Sequence, residues 1–352
     1  MLGILEGAVT ASKREFDDLL TSFPNGLDDL YKKILSSSPD IKRAKKILHV
    51  VVAAARPLTL DEMNVSLAIE PHHKSVRDLD QDLLPPAGTE NILKEICGLF
   101  IRVRDSRIYL VHKTAKEFLT RDPKTNHGSP SPGTWKQALD PVESNRIVLN
   151  NCFHYLFFAD FETNPLPICT TCPELKSAAG TYVSEYKFLR YAAENWIGHF
   201  RKAQTKQGDK LLEGALKVCN TKSPAFMTWF QIYWEKNNSH SCMAEFKVPL
   251  GLTDLMVVSH LGLVAAMKLL LERGVDVNER VPKYGGALNI AAVGKQRRAI
   301  RLLLESGGKF LAAEGEYAEL HKVSILLHHF LVGLELRLTT VAWHRRKQAN
   351  NL

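Results

Sequence analysis

Apolar residues recur at helical spacing from residue 27 onward, and polar signals divide them into short helices. A first helix is predicted to end at the Ser-Ser-Ser-Pro sequence at residues 36–39. A second helix is predicted to begin near Ile41 and to end at Arg56-Pro57, and the face opposite its apolar face is basic. Thr59 and Glu62 then have the spacing of a capping box, which predicts a third helix. Residues 70–89 are polar and contain three prolines, so we expect a loop there.

Residues 107–119 change their hydrophobic period in mid-run. Ile108 and Leu110 alternate as in a strand, whereas Ala115, Phe118 and Leu119 follow helical spacing. Together with an apolar stretch at residues 100–103, this predicts a β-hairpin that feeds a last helix. Helices closed by a hairpin and a further helix are the composition of a winged helix.

Three stretches within this region resemble a known family. GLDDLYKKIL, ARPLTLDEM and ICGLFIRVRDSRIYLVHKTAKEFL are similar to the winged-helix module that follows the NACHT domain in large fungal proteins of the STAND class, and FLRYAAENWIGHF resembles the helical segment that follows it. The resemblance implies that His112 reaches the phosphate of bound ADP. The alternative is a structural histidine that caps the last helix, or one left without a ligand because the ATPase core is missing. The sequence has no Gly-x-x-x-x-Gly-Lys-Ser/Thr run to hold that nucleotide, so it resembles such a protein beginning after its ATPase core.

The second half of the chain contains an internal repeat. LMVVSHLGLVAAMKLLLERG, residues 255–274, aligns without gaps on LNIAAVGKQRRAIRLLLESG, residues 288–307, at an offset of 33 residues. That offset is the ankyrin period. Each copy ends at a glycine, Gly274 or Gly307, which is predicted to adopt the left-handed conformation.

The predicted architecture is mainly α: a winged helix with a small β-hairpin, a helical connector and a short ankyrin-repeat solenoid. We assign residues 27–120 to the winged helix, 121–141 to a linker, 142–250 to the connector and cap, 251–317 to two clear ankyrin repeats and 318–352 to a divergent helical tail. Residues 1–26 are expected to be the end of a NACHT-type region or disordered.

Composition and charge narrow the function classes. The net charge of +8 is spread along the chain, and six irregularly spaced cysteines do not form a disulfide framework. With no apolar run long enough for a membrane span, an intracellular, cytoplasmic protein is expected, and a nuclear one is not excluded. Cys169-x-x-Cys172 lacks a second ligand pair, and His72-His73 and His328-His329 are adjacent, so neither metal nor cofactor is expected.

No catalytic motif occurs in the sequence, and an enzyme is not expected. The leading hypothesis is a protein-interaction scaffold, with Arg280, Lys283 and Tyr284 at the tip between the repeats as partner-binding residues. Two alternatives remain. One is residual phosphate sensing through His112. The other is DNA binding through basic residues of the second helix or of the wing, namely Lys42, Arg43, Lys45, Lys46, Arg102, Arg104 and Arg107. Against it, the third helix, which would enter the groove, has no basic face, because it presents Asn64, Ser66 and Glu70. The aromatic run from Trp229 to Trp234 could stack bases but is more typical of a core.

Overall fold

The computed structural model describes residues 26–120, 134–167, 180–238, 248–311 and 313. The chain forms two compact units. The N-terminal unit comprises residues 1–68 and 81–148, and the C-terminal unit comprises residues 69–80 and 149–352. The predicted tail at 318–352, most of the predicted N-terminal segment and the first part of the predicted linker lie outside the described residues.

Short helices and one hairpin build the N-terminal unit. The elements, in chain order, are α1 (Leu27–Ser36), α2 (Ile41–Ala53), α3 (Leu60–Ala68), α5 (Pro86–Cys97), a 3-10 turn (Gly98–Phe100), β1 (Ile101–Arg104), β2 (Arg107–Leu110), α6 (Lys113–Leu119) and the start of α7 (Pro141–Leu156). The fourth helix along the chain, α4 (Val76–Asp80), belongs to the C-terminal unit.

Local capping explains where α2 and α3 begin. The Asp40 side chain accepts a hydrogen bond from the Arg43 N–H at 2.9 Å. At α3 the Thr59 hydroxyl accepts from the Glu62 N–H at 3.1 Å, and the Glu62 carboxylate accepts from the Thr59 N–H at 2.9 Å. This reciprocal pair is the capping box predicted from the sequence, and it is confirmed.

The predicted hairpin is confirmed, with the first strand shifted by one residue and the second ending one residue earlier than predicted. Strands β1 and β2 are antiparallel, with Ile101 opposite Leu110 and Val103 opposite Ile108. Asp105 and Ser106 connect them with φ of 49° and 56°, the two positive values that a type I′ turn requires. The N–H of Ile108 also donates to the Leu58 carbonyl at 2.9 Å, so the segment before α3 lies along β2.

Two stretches interpreted as loop or linker have more structure than the sequence indicated. Residues 70–89 contain α4 and the start of α5, so the prediction of a loop was wrong in part. Asp78 caps α4 because its carboxylate accepts from the N–H groups of Lys74 and Ser75. In the described part of the linker, Leu139 is fully buried and its N–H donates to the Leu119 carbonyl at 3.0 Å.

An aromatic cluster lies at the centre of the connector in the C-terminal unit. The elements here are α8 (Asp160–Thr163), α9 (Leu189–Lys202), α10 (Lys210–Val218) and α11 (Pro224–Asn238). Trp196 on α9 meets Trp229 on α11 edge-to-face, with centroids 5.4 Å apart. Trp229, Phe230, Ile232 and Trp234 are all buried, which confirms that this aromatic run is core.

Two helix pairs follow with the same geometry. Helices α12 (Asp254–His260) and α14 (Ala287–Val293) begin 33 residues apart, as do α13 (Val264–Glu272) and α15 (Arg297–Glu305). Gly274 and Gly307 have φ of 82° and 83°, which confirms their predicted left-handed conformation. We call α12–α13 and α14–α15 repeat one and repeat two. No helix in the described part of the chain is long and apolar enough to cross a bilayer.

Acidification should destabilise the C-terminal unit through His199. Its side chain is 1% exposed, and its Nε2 lies 2.9 Å from the Tyr191 hydroxyl. Burial, with a smaller effect from Lys202, lowers the pKa of this imidazole to about 4. An unfolded histidine titrates near 6.5, so as the pH falls the unfolded state binds the proton first. Stability is therefore complete above about pH 6.5 and is lost toward pH 4.

We expect His199 to lower the free energy of unfolding by about 2 kcal/mol between pH 7 and pH 5. Urea unfolding at pH 7, 6 and 5 measures this loss. His199→Gln, which can still hydrogen-bond Tyr191 but cannot take up a proton, should have a correspondingly smaller loss. Equal pH dependence in the two proteins would contradict the assignment.

Candidate functional site

His112 lies between β2 and α6 and caps α6. Its Nδ1 accepts a hydrogen bond from the Thr114 backbone N–H at 3.3 Å and lies 2.9 Å from the Thr114 hydroxyl. That hydroxyl is in turn 2.8 Å from the hydroxyl of Tyr31 on α1. The predicted position of His112, at the junction between a strand and a helix, is therefore what the structure shows.

These hydrogen bonds select one tautomer of the imidazole. A backbone N–H can only donate, so Nδ1 of His112 must be the acceptor, and the neutral ring then carries its hydrogen on Nε2. The side chain is exposed. His112 therefore presents an N–H donor away from its own helix, as recognition of an anionic oxygen requires.

A cavity of about 310 Å³ adjoins His112 in the N-terminal unit. Its wall is largely apolar, and its cationic groups come from α6 and from the segment that follows α2. The lining residues are Val51, Ala54, Ala55, Arg56, Pro57, Leu58, Met63, Ile108, Tyr109, Leu110, His112, Lys113 and Lys116. This volume is at the lower end of the range for small-molecule pockets.

The cationic groups of the cavity differ in how far their charge is already neutralised. Arg56 makes two hydrogen bonds of 2.7 Å to the buried Glu62 carboxylate. Lys113 lies 3.5 Å from Glu117, and both of these side chains are well exposed, so this pair leaves the lysine charge largely available. None of the thirteen lining residues is a carboxylate or a thiol. The cavity is suited to a group that is apolar on one side and anionic on the other.

Sequence reasoning identified His112 but missed the rest of this cavity. Lys113 and Lys116 follow His112 directly, and their spacing of three places both on one side of α6. That spacing was the available signal. Arg56 and Pro57 could not be associated with them, because they come from a segment more than fifty residues earlier that β2 brings alongside.

The predicted partner-binding residues do not all lie on the surface. Arg280 and Lys283 are exposed at the tip between the repeats, where Val281 and Gly285 form an antiparallel bridge. Tyr284 is only 1% exposed, so its assignment to an exposed tip was wrong. Its ring turns inward beneath Lys283, whose Nζ is 5.3 Å from the ring centroid. Burial raises the pKa of its hydroxyl, and the nearby Leu250 backbone opposes that shift.

The residues considered for DNA contact do not form one face. Asn64 and Ser66 are buried, and Asn64 bonds the Leu84 backbone, so α3 cannot present them to a groove. Lys46 donates to the Leu67 carbonyl at 2.8 Å, and Arg107 donates to the Pro57 carbonyl at 3.0 Å. The remaining candidates are divided between α2 and the wing, namely Lys42, Arg43, Lys45, Arg102 and Arg104; Glu70 is exposed.

The structure describes some of the histidines and cysteines that a metal site would need. The His73 side chain is buried, and its Nδ1 accepts from the Glu70 N–H at 3.1 Å. Cys97 is a buried free thiol whose pKa desolvation raises to about 12, which keeps it protonated. Cys169, Cys172 and the pair His328-His329 lie outside the described residues.

Comparison with known proteins gives a family match and a curated relative that each cover about a third of the chain. The family described as "GPI inositol-deacylase, winged helix domain" matches residues 31–129. Vegetative incompatibility protein HET-E-1 of Podospora anserina is 39% identical over 110 residues, which are 30% of this chain and 7% of that protein. This chain carries a winged-helix domain. No solved structure matches it.

A second relative extends beyond the winged-helix domain. Azaphilone pigments biosynthesis cluster protein L of Monascus ruber is 23% identical over 316 residues, which are 84% of this chain and 62% of that protein. The chain thus spans less than two thirds of the length of either relative. Together, the three matches support a fungal, NACHT-associated region that includes the winged-helix domain and is consistent with a regulatory module.

Proposed function

We propose that this chain is a non-enzymatic regulatory and protein-interaction module that acts inside the cell. In this proposal the winged-helix domain is the regulatory part of a NACHT-type switch, and repeats one and two are ankyrin-type repeats that bind a partner protein. The match of residues 31–129 to a winged-helix family supports the first part. The 33-residue recurrence of whole helix pairs supports the second.

The observation that carries the interaction proposal is the tip between the repeats. Arg280 and Lys283 are exposed there on a turn that Gly285, with φ of 77°, helps to form. The end of repeat two holds the chain just before this turn. The Asn278 side chain donates to the Gly307 carbonyl and accepts from the Lys309 N–H. A rigid base under exposed cations is a preorganised binding surface.

Affinity purification with charge-reversed tips tests the interaction proposal. The double variant Arg280→Glu/Lys283→Glu should lose at least one specific partner by tenfold or more. Lys187→Glu/Lys222→Glu, which reverses two exposed charges elsewhere in the same unit, is the matched control and should retain it. If quantitative mass spectrometry finds no protein that distinguishes the two variants, the tip is not the binding surface.

A second candidate function, recognition of a nucleotide phosphate, is favoured by the tautomer of His112. Its Nε2 donor and the Lys113 and Lys116 side chains belong to one cavity with an apolar wall. Such a site could contact one phosphate and part of a base while another domain supplies the remaining contacts. This candidate concerns the winged-helix domain only, so it does not compete with the interaction proposal for the repeats.

Titration with ADP tests this second candidate. Bound ADP should raise the melting temperature of the wild-type protein in a concentration-dependent manner, by the equivalent of about 2.7 kcal/mol at 100 times Kd. His112→Asp retains an acceptor for the Thr114 N–H but repels phosphate, so its melting temperature should not respond. No response of the wild type at millimolar ADP, measured by scanning fluorimetry, would exclude phosphate recognition by this chain.

A further inference from the structure

Repeat two carries exposed cations that repeat one lacks. At three equivalent positions repeat one has Gly262, Val264 and Ala265, and repeat two has Lys295, Arg297 and Arg298. Residues 287–309 contain five cations and one carboxylate, whereas the equivalent residues 254–276 contain two cations and three carboxylates. The repeats share one fold but differ strongly in charge, so the fold itself does not require these cations.

Exposed cations on the second helices and at the residue just before the N-cap of α15 form a surface that we call the basic face: Lys268, Lys295, Arg297, Arg298 and Arg301. Helices α13 and α15 pack against each other, and Lys268 and Arg301 occupy equivalent positions on them. In the described part of the chain, no hydrogen bond or ion pair engages the side chains of Lys268, Lys295, Arg297 or Arg298. Their charges are therefore not neutralised by any residue that the structure describes.

Placing cations at these positions is unfavourable for folding. Lys295 has φ of 54° where repeat one has Gly262 at 65°, and a lysine side chain is strained in this left-handed conformation. Arg297 and Arg298 lie in the first turn of α15, where the helix dipole disfavours positive charge. Cations that lower the stability of the free protein, at positions where repeat one has none, indicate a role in binding.

The size and borders of the basic face indicate what it binds. Helices packed side by side are about 8–10 Å apart, and nine helical residues extend about 13 Å. That area accommodates about four residues of an extended peptide. Glu272 and Glu305 lie at the carboxyl ends of the two helices, where a long polyanion that continued along them would be repelled. Leu304, which is 38% exposed on α15, offers an apolar contact as well.

We propose that the basic face binds a short acidic segment of a partner protein, with an apolar residue of that segment against Leu304. This surface is formed by the second helices of the repeats. The tip at Arg280 and Lys283 is a different surface, so the inference stands whether or not the tip binds a partner.

Fluorescence anisotropy on the full chain tests this inference with a labelled peptide of six glutamates around one leucine. The triple variant Lys295→Gly/Arg297→Val/Arg298→Ala gives repeat two the residues of repeat one. We expect it to bind the peptide at least tenfold more weakly while its melting temperature stays equal or rises by a few degrees, because the strain and the unfavourable charges are gone. The control Lys187→Ala/Lys206→Ala/Lys222→Ala removes three exposed charges of the same unit and should bind within twofold of wild type.

Two further probes distinguish a peptide from other anions. A dodecathymidylate and vesicles containing 30% phosphatidylserine should bind more weakly than the peptide, and the triple variant should change their binding no more than the control does. Equal peptide affinity in the wild type and the triple variant would overturn the proposal. The proposal would also be overturned if the oligonucleotide or the vesicles bound the wild type more tightly than the peptide does and the triple variant abolished that binding. The basic face would then recognise nucleic acid or membrane.

Discussion

Replacing Trp196 with alanine is expected to lower the free energy of unfolding of the C-terminal unit by about 3–5 kcal/mol. The side chain is completely buried, and its ring meets three other aromatic rings, those of Phe153, Phe200 and Trp229, at centroid distances of 5.6, 6.3 and 5.4 Å. Alanine would leave a cavity between α7, α9 and α11 that these rings could fill only in part. Urea unfolding monitored by circular dichroism measures the loss.

Trp196→Phe is the informative control for this prediction. The indole N–H of Trp196 has no hydrogen-bond acceptor among the residues that the structure describes. Leaving a buried donor unpaired costs about 1–3 kcal/mol, and phenylalanine removes that donor while keeping most of the ring contacts. We therefore expect Trp196→Phe to cost far less than Trp196→Ala. A loss below 1 kcal/mol for the alanine variant would contradict the central place of this cluster in the core.

Replacing Glu62 with alanine is expected to cost the N-terminal unit about 2–4 kcal/mol, since it removes both a capping box and a largely buried ion pair. The Glu62 carboxylate accepts two hydrogen bonds from Arg56 and one from the Thr59 N–H. Its loss leaves the half-buried Arg56 without this carboxylate, beside the cavity that contains His112. Urea unfolding of the N-terminal unit provides the measurement.

Asp61→Ala is the matched control for Glu62, because Asp61 is an exposed acid in the first turn of the same helix. Its effect should stay within about 0.5 kcal/mol. Similar losses in the two variants would show that the acidic character of the first turn, rather than the capping box and ion pair, stabilises α3.

The sequence predicted best the features that depend on neighbouring residues. Thr59 and Glu62 are three residues apart, so the side chains that cap α3 are present in one turn of sequence. The left-handed conformation of Gly274 and Gly307 was equally predictable, because each glycine ends a helix whose apolar residues recur at helical spacing. The prolines at residues 70–89 favour a loop, but the side chains of Ser75 and Asp78 cap α4 within this stretch.

The features that the sequence could not predict depend on packing between distant segments. Tyr284 follows the exposed Lys283 and precedes two glycines in the sequence. No pattern in these neighbouring residues predicts that its ring turns inward under Lys283. The cavity beside His112 requires β2 to lie against the segment around Pro57, a pairing between residues about fifty positions apart. For the same reason, the basic face is not evident from the sequence, because it depends on the packing of α13 against α15 and on which side chains are exposed.

The most direct measurement of the central claim, that the repeats bind a partner protein, is site-specific photo-cross-linking in a fungal cell extract. A benzophenone-bearing amino acid is placed at residue 280, at the exposed tip, and in a parallel sample at residue 187 as the control. The proposal predicts a discrete cross-linked protein from residue 280 that is absent from residue 187 and is lost when Lys283→Glu is added. The same pattern of cross-links from both positions, or none from residue 280 in the folded protein, would contradict it.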